Sequence, residues 1–341
     1  MATAKRARKP SAEKAAVASN LLEALKFISV AQHTDGTPMQ SHCRISDGTV
    51  VGFDGGLTVG HYIEETLNVC PHTATLIAAL SKCKESVSIT QLDSGKLSVK
   101  SGKFSAKVPC IDFGDIPAIQ PDSPIAAITD TLKTALAACV PLTQDNGAEP
   151  FTCAVLLQAG TAVATNRHVV IEAWHGLDLP PGILIPKASV NAICKTDKHL
   201  KAFGFSSNSA TFFFEDDSFI KTQLYINNFP QYQKLLDIES NAFPLPAGFY
   251  EAIDTVAPFI KKKKTTVYFI DGKISSHYNT ELGASFEVEG LKNGLAFNVN
   301  YLKLIRQHAH MVQFNANDRG MALFFGDNVR GAIMKVTNGE D

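Results

Sequence analysis

What the 341-residue chain lacks narrows its class first. No apolar run approaches the roughly 20 residues needed to cross a bilayer, so no membrane partner is expected. The seven cysteines are odd in number and form no Cys-x-x-Cys pair. Several stand in apolar contexts, as Cys139 does in Ala-Ala-Cys-Val, so buried reduced thiols are expected and a structural zinc site is not. There is no charge excess either, the formal net charge being −1. A protein that grips nucleic acid tightly across its surface carries a clear basic surplus, so any such contact here is local or loose. The chain has no phosphate loop, no G-x-S-x-G and no H-E-x-x-H. His308 and His310 have no carboxylate cluster beside them, and the pair Gly55 and Gly56 reads as a turn. No catalysis, metal or cofactor is expected.

What is present is material for packed cores. Apolar residues make up 45% and charged residues 19%, over a length suited to two or three domains. Residues 1–18 stand apart: the basic run Lys5-Arg6-Ala7-Arg8-Lys9-Pro10 is followed by Ser11, Glu13 and Lys14, not by an apolar stretch. That reads as a solvated basic tail and not a secretory signal, with an arm touching nucleic acid as the alternative. The cytoplasm is the expected compartment.

The dominant feature is a repeat. Leu21-Leu22-Glu23-Ala24-Leu25, Leu132-Lys133-Thr134-Ala135-Leu136 and Phe249-Tyr250-Glu251-Ala252-Ile253 share one amphipathic stripe, at spacings of 111 and 117 residues. Pro141 and Pro258 should end the second and third of these helices. A second helix is expected in each copy, over Thr75–Leu80, Ala188–Ile193 and Asn300–Ile305. Alternating strands follow: Val87/Ile89, Leu97/Val99 and Phe104/Ala106/Val108; then Phe203/Phe205, Phe212/Phe214 and Ile220/Thr222/Leu224; then Val312/Phe314, Leu323/Phe325 and Ile333. Copies one and two close on Asp115-Ile116-Pro117 and Asn228-Phe229-Pro230, and the chain stops before copy three repeats this. The expectation is an α+β chain of three tandem modules at 19–122, 123–237 and 238–341, each with two helices packed on antiparallel sheets.

Certain motifs narrow this further. Ala164-Thr165-Asn166-Arg167-His168-Val169-Val170, Ile183-Leu184-Ile185-Pro186-Lys187, Phe229-Pro230-Gln231-Tyr232 and Phe297-Asn298-Val299-Asn300-Tyr301-Leu302 stand in order along the chain. They resemble the Ala-Thr-Asp-Gly-His-Arg-Leu, Ile-Val-Pro-Arg-Lys, Phe-Pro-Asp-Tyr and Phe-Asn-x-x-Tyr-Leu motifs of the bacterial DNA polymerase III beta subunit, the sliding clamp. The hairpin from Gly95 to Phe104 resembles one in that family's first domain. The resemblance implies three clamp-like domains forming a ring as a homodimer. It implies a processivity factor that encircles duplex DNA without sequence preference and tethers the replicative polymerase, with polymerase and clamp loader docking through short peptides. Topology then retains the DNA, so phosphate contacts can stay weak.

Carried over residue by residue, the peptide pocket would comprise Phe151, Thr165, His168, Val170, Ala322, Ala332, Met334 and Val336. For DNA the candidates are the cations of outward helix faces and adjacent turns, Lys26, Lys82, Lys133, Lys187, Lys195, Lys198, Lys303 and Arg306, and Gln144, which resembles a polar family position near the DNA. Phe259 and Ile260 match the subunit interface, while the run from Lys261 to Lys264 reads as a solvated loop. Arg167, Val169 and Lys335 depart from the family's glycine, arginine and proline, as in a diverged member, with a virus of bacteria as one source. The competing reading of the same repeat is a non-catalytic binding or structural protein that does not encircle DNA.

Overall fold

A computed structural model describes residues 20–33, 35–239, 241–260, 264–316 and 320–337. The basic tail and residues 261–263 of the lysine run lie outside them.

The helical stripes form as their spacing predicts. Helix α1 (Leu21–Ile28) buries Leu21, Ala24, Leu25 and Ile28. With α2 spanning Thr73–Leu80, α3 (Asp130–Cys139) buries Leu132, Ala135, Leu136 and Cys139 at the same four offsets. With α4 spanning Lys187–Lys195, α5 (Phe249–Val256) buries Phe249, Ala252, Ile253 and Val256. Helix α6 (Val299–Ile305) completes the third pair. Each large side chain withdrawn from water contributes ~1.5–3 kcal/mol, which fixes the face each helix presents inward. α1 packs on α2, α3 on α4 and α5 on α6. Pro141 and Pro258 act as expected: α3 and α5 each stop two residues earlier and tighten into a 3₁₀ turn holding the proline. His308 and His310 fall beyond α6; His308 is half-buried and His310 exposed.

The strands gather into two compact units, one running to Ala127 with Lys198–Gln223, the other taking Ile128–Asp197 and the chain from Leu224. The stretch 123–237, expected to be one module, therefore supplies strands to both. In the first unit a seven-stranded antiparallel sheet runs Arg44–Ser46, Thr49–Phe53, Leu57–Tyr62, Phe219–Gln223, Ser209–Phe214, Leu200–Phe205, Pro124–Ala127. Its central join sets Val59 opposite Ile220. A three-stranded sheet, Ser88–Gln91, Leu97–Ser101 and Phe104–Val108, forms the expected hairpins. The Asp54 carboxylate accepts the Gly56 and Leu57 N–H groups at 2.8 and 2.7 Å, closing the expected glycine turn.

The second unit repeats that join. Its eight-stranded sheet runs Ile183–Pro186, Ala154–Leu157, Thr161–Thr165, Val169–Trp174, Val329–Met334, Met321–Gly326, Met311–Gln313, Phe243–Pro244. Val170 stands opposite Ala332 across its middle. A glycine sits at each join. A Cβ on Gly60 would lie 2.3 Å from the Phe219 ring, and one on Gly331 would lie 2.2 Å from the Phe324 ring. In both units a phenylalanine occupies the space a side chain would need. A four-stranded sheet (Ser285–Glu287, Lys273–Ser275, Thr266–Ile270, Leu295–Asn298) packs against α5. Its core is aromatic, with Phe249, Phe269, Phe297 and Phe314 at ring separations of 5.4 to 5.9 Å.

All seven thiols are free. Cys43, Cys70, Cys139 and Cys153 are buried, while Cys83, Cys110 and Cys194 are half-buried. Burial pushes Cys43 up to about 12 and raises Cys139 as well, which makes both inert. Among the described residues no three metal-binding side chains converge, and no helix is long and apolar enough to cross a membrane.

One ion-pair cluster makes the first unit acid-sensitive. Asp216 takes hydrogen bonds from the Lys198 ammonium and from the Ser218 hydroxyl and N–H. Its partial burial alone would raise its pKa, but these bonds outweigh that and bring it to about 2. A carboxylate depressed on folding stabilises above its unfolded value, ~3.9, and that contribution is lost as pH falls toward 2. Asp216→Asn is therefore expected to lower the melting temperature at pH 6 and to match the parent near pH 2. A difference independent of pH would show that the pairing does not stabilise.

Candidate functional site

The apolar cluster in the second unit lies on one face of the eight-stranded sheet. Strand alternation puts Leu156, Val163, Val170, Ala332, Leu323 and Met321 on that face. The segment after Pro230 folds over them, with Tyr232 and Leu236 buried and Phe229 and Ile238 packed at the margin. Phe229 meets Phe151 and Tyr232 edge-on, at 5.8 Å in each case. The result is a buried apolar floor with a partly exposed rim of Phe229, Ile238, Ala316, Phe325 and Met334.

The expected pocket residues fall unevenly on this frame. Val170, Ala332 and Met334 belong to the cluster, and Phe151 reaches it through Phe229. Thr165 stands opposite Val170, and its hydroxyl donates to the Val169 carbonyl at 2.7 Å, which shapes the turn ahead of that strand. His168 is exposed at the tip of this turn and stacks on Tyr301 at 6.1 Å. Ala322 stands opposite Ile333, between the cluster residues Met321 and Leu323, and so points to the other face. Val336 is half-buried past the last strand, and its N–H donates to the Ala296 carbonyl at 2.8 Å. Arg167 takes a φ of 76°, in the left-handed region that favours glycine, where the resembled motif carries that residue.

Residue-by-residue transfer missed Phe229, Tyr232 and Leu236, although the first two stand in a motif already singled out. It also missed the polar clasp beside them. Glu172, only 5% exposed, takes the Arg330 guanidinium at 2.7 Å and the Tyr232 and Thr161 hydroxyls at 3.3 Å each. Arg330 also pairs with Asp237 at 3.2 Å and lies 5.3 Å over the Trp174 ring. Burial, followed by the Glu172 charge, raises the Tyr232 phenol well above its ordinary range. The sequence signal was a glutamate inside the apolar run Val169-Val170-Ile171-Glu172-Ala173.

Most of the expected DNA-facing cations have partners within the chain. The Lys133 ammonium donates to the Thr196 carbonyl, and Lys187 pairs with Asp145 at 2.8 Å. Lys198 pairs with Asp216 and lies 4.6 Å over the Phe27 ring. Lys303 and Arg306 share Asp254, at 3.6 and 2.6 Å, and bonding to Arg306 lowers the Asp254 pKa. Lys26, Lys82 and Lys195 are exposed, and Gln144, also exposed, accepts the Thr152 hydroxyl at 3.4 Å. Phe259 is 63% exposed at the end of its 3₁₀ turn, with Ile260 half-buried next to it.

Antiparallel sheets backed by recurring helix pairs, with an apolar cluster on one face of the eight-stranded sheet, define an α+β repeat fold. No family model matches the sequence, nor does any curated protein. Solved structures match nearly its whole length. The Bacillus subtilis DNA polymerase sliding clamp is 16% identical, with 94% of this chain and 97% of that one covered at a TM-score of 0.79. The Caulobacter crescentus polymerase III beta protein is 18% identical, with 93% and 98% covered at 0.76. The Bartonella birtlesii sliding clamp, solved bound to griselimycin, is 17% identical, with 94% and 97% covered at 0.74. The chain has the fold of the bacterial DNA polymerase sliding clamps.

Proposed function

We propose that the chain is a diverged sliding clamp, a non-catalytic processivity factor that encircles duplex DNA and tethers a DNA polymerase. The observation that carries this reading is the clamp fold over 94% of the chain at a TM-score of 0.79. Three helix pairs at the repeat spacing and a near-neutral charge suit a ring that holds DNA by topology. In this reading the three modules are 19–122, 123–237 and 238–341, and two copies close the ring. It works in the cytoplasm of a bacterium, or of the host of a bacterial virus. The partly exposed apolar rim of Phe229, Phe325 and Met334 over the buried cluster of Val170, Leu323 and Ala332 takes short peptides of the polymerase and clamp loader; the griselimycin complex of the Bartonella clamp supports a ligand-taking surface on this fold.

Light scattering should give twice the mass of one chain, 36.8 kDa. After loading, the protein should stay on nicked circular DNA and leave the same DNA once it is linearised. A monomer with equal retention on both would favour the non-encircling alternative. Replacing the exposed Phe259 with aspartate should split the dimer, because a charge inside an apolar contact is costly. A dimer that survives that change would remove Phe259 and Ile260 from the interface.

A further inference from the structure

On the α5–α6 pair one carboxylate holds two cations at the surface. Asp254 lies 2.6 Å from Arg306 and 3.6 Å from Lys303, and the three side chains are 47%, 49% and 42% exposed. Exposed pairs of this kind add little to stability. What the arrangement changes is the charge the face presents: two cations that would each meet a phosphate already bond a carboxylate, the same kind of acceptor. Arg306 is further fixed, its guanidinium 5.3 Å over the Tyr250 ring. Lys187 with Asp145 and Lys198 with Asp216 repeat the pairing elsewhere among the expected DNA-facing cations.

We infer that Asp254 is an internal competitor for the phosphate backbone, keeping Lys303 and Arg306 occupied so that this helix face holds duplex DNA weakly. The inference rests on the clamp reading and assigns Asp254 a role in setting the strength of DNA contact. A phosphate reaching this face must displace or share the carboxylate, so binding there releases fewer counterions than two free cations would.

The test uses the full-length protein, a short duplex for affinity and a nicked circle for retention. Asp254→Asn should tighten duplex binding several-fold at low salt. It should also steepen the dependence of log affinity on log salt by about 1 to 2 per chain, the slope expected for one or two new phosphate contacts. Glu251→Gln removes the same charge from the same helix, where Glu251 is exposed and in no ion pair among the described residues, and should leave the slope unchanged. Lys303→Gln should cost little in the parent and should reverse much of the gain in the Asp254→Asn background.

If Asp254→Asn leaves affinity and slope unchanged while the parent remains on circular DNA, this inference falls and the clamp reading stands. An equal gain from Glu251→Gln would reduce the effect to net charge and overturn it too. A parent that is not retained on circles, with no variant binding duplex, removes both.

Discussion

Cutting Phe229 back to alanine is expected to weaken binding of a short peptide with leucine and phenylalanine anchors by on the order of 100-fold. Phe229 stands between Phe151 and Tyr232, edge-on to both at 5.8 Å, and is the partly exposed member of the three. Removing it takes away an anchor's wall and lets water reach the floor made by Val170 and Ala332. Met334→Glu reaches the same end without leaving a cavity, because it puts a charge on the apolar rim. Fluorescence anisotropy with a labelled peptide measures both, with melting temperature recorded alongside. Unchanged affinity in both variants would remove this cluster from the proposed peptide surface.

Arg330→Met is expected to destabilise the second unit by about 3–5 kcal/mol, the usual result of leaving one partner of a buried ion pair uncompensated. Glu172 would keep its burial and its two hydroxyl donors but lose the guanidinium. Over a unit of this size that lowers the melting temperature by on the order of 10 °C. The double variant Glu172→Leu with Arg330→Met should recover much of the loss, since an apolar pair of similar volume does not leave a buried charge unpaired. Trp174, the only tryptophan, lies under Arg330, so its emission should shift in either variant. A melting temperature within a degree or two of the parent would show that Asp237 and solvent compensate Glu172.

The helices were legible because their information is local. A stripe repeated every three or four residues survives any tertiary context that keeps one face buried, and all three first helices bury the same four offsets. The hairpins were legible through alternation and turn residues. The large sheets were not, since nothing near Val59 names Ile220 and nothing near Val170 names Ala332. For the same reason Ala322 was grouped with residues whose face it does not share: the motif supplied a position and the register decides the side. The ion pairs were hidden by distance along the chain. Lys303 and Arg306 read as free cations on a helix because the carboxylate between them lies on another helix, at Asp254.

The two long-range sheet joins also bear on how the protein is made. The strand Leu57–Tyr62 pairs at once with Thr49–Phe53, but its other edge is covered only when Phe219–Gln223 has been synthesised. At roughly 5–20 residues per second that wait lasts on the order of ten to thirty seconds. The strand Val169–Trp174, paired early with Thr161–Thr165, waits comparably for Val329–Met334 on its other edge. Through each interval a largely apolar strand edge stands open on a nascent chain, the circumstance in which strands pair with the wrong neighbour. Slow steps in producing this protein should therefore trace to the arrival of these closing strands, and chaperone dependence should be greatest for chains cut just before residue 219 or residue 329.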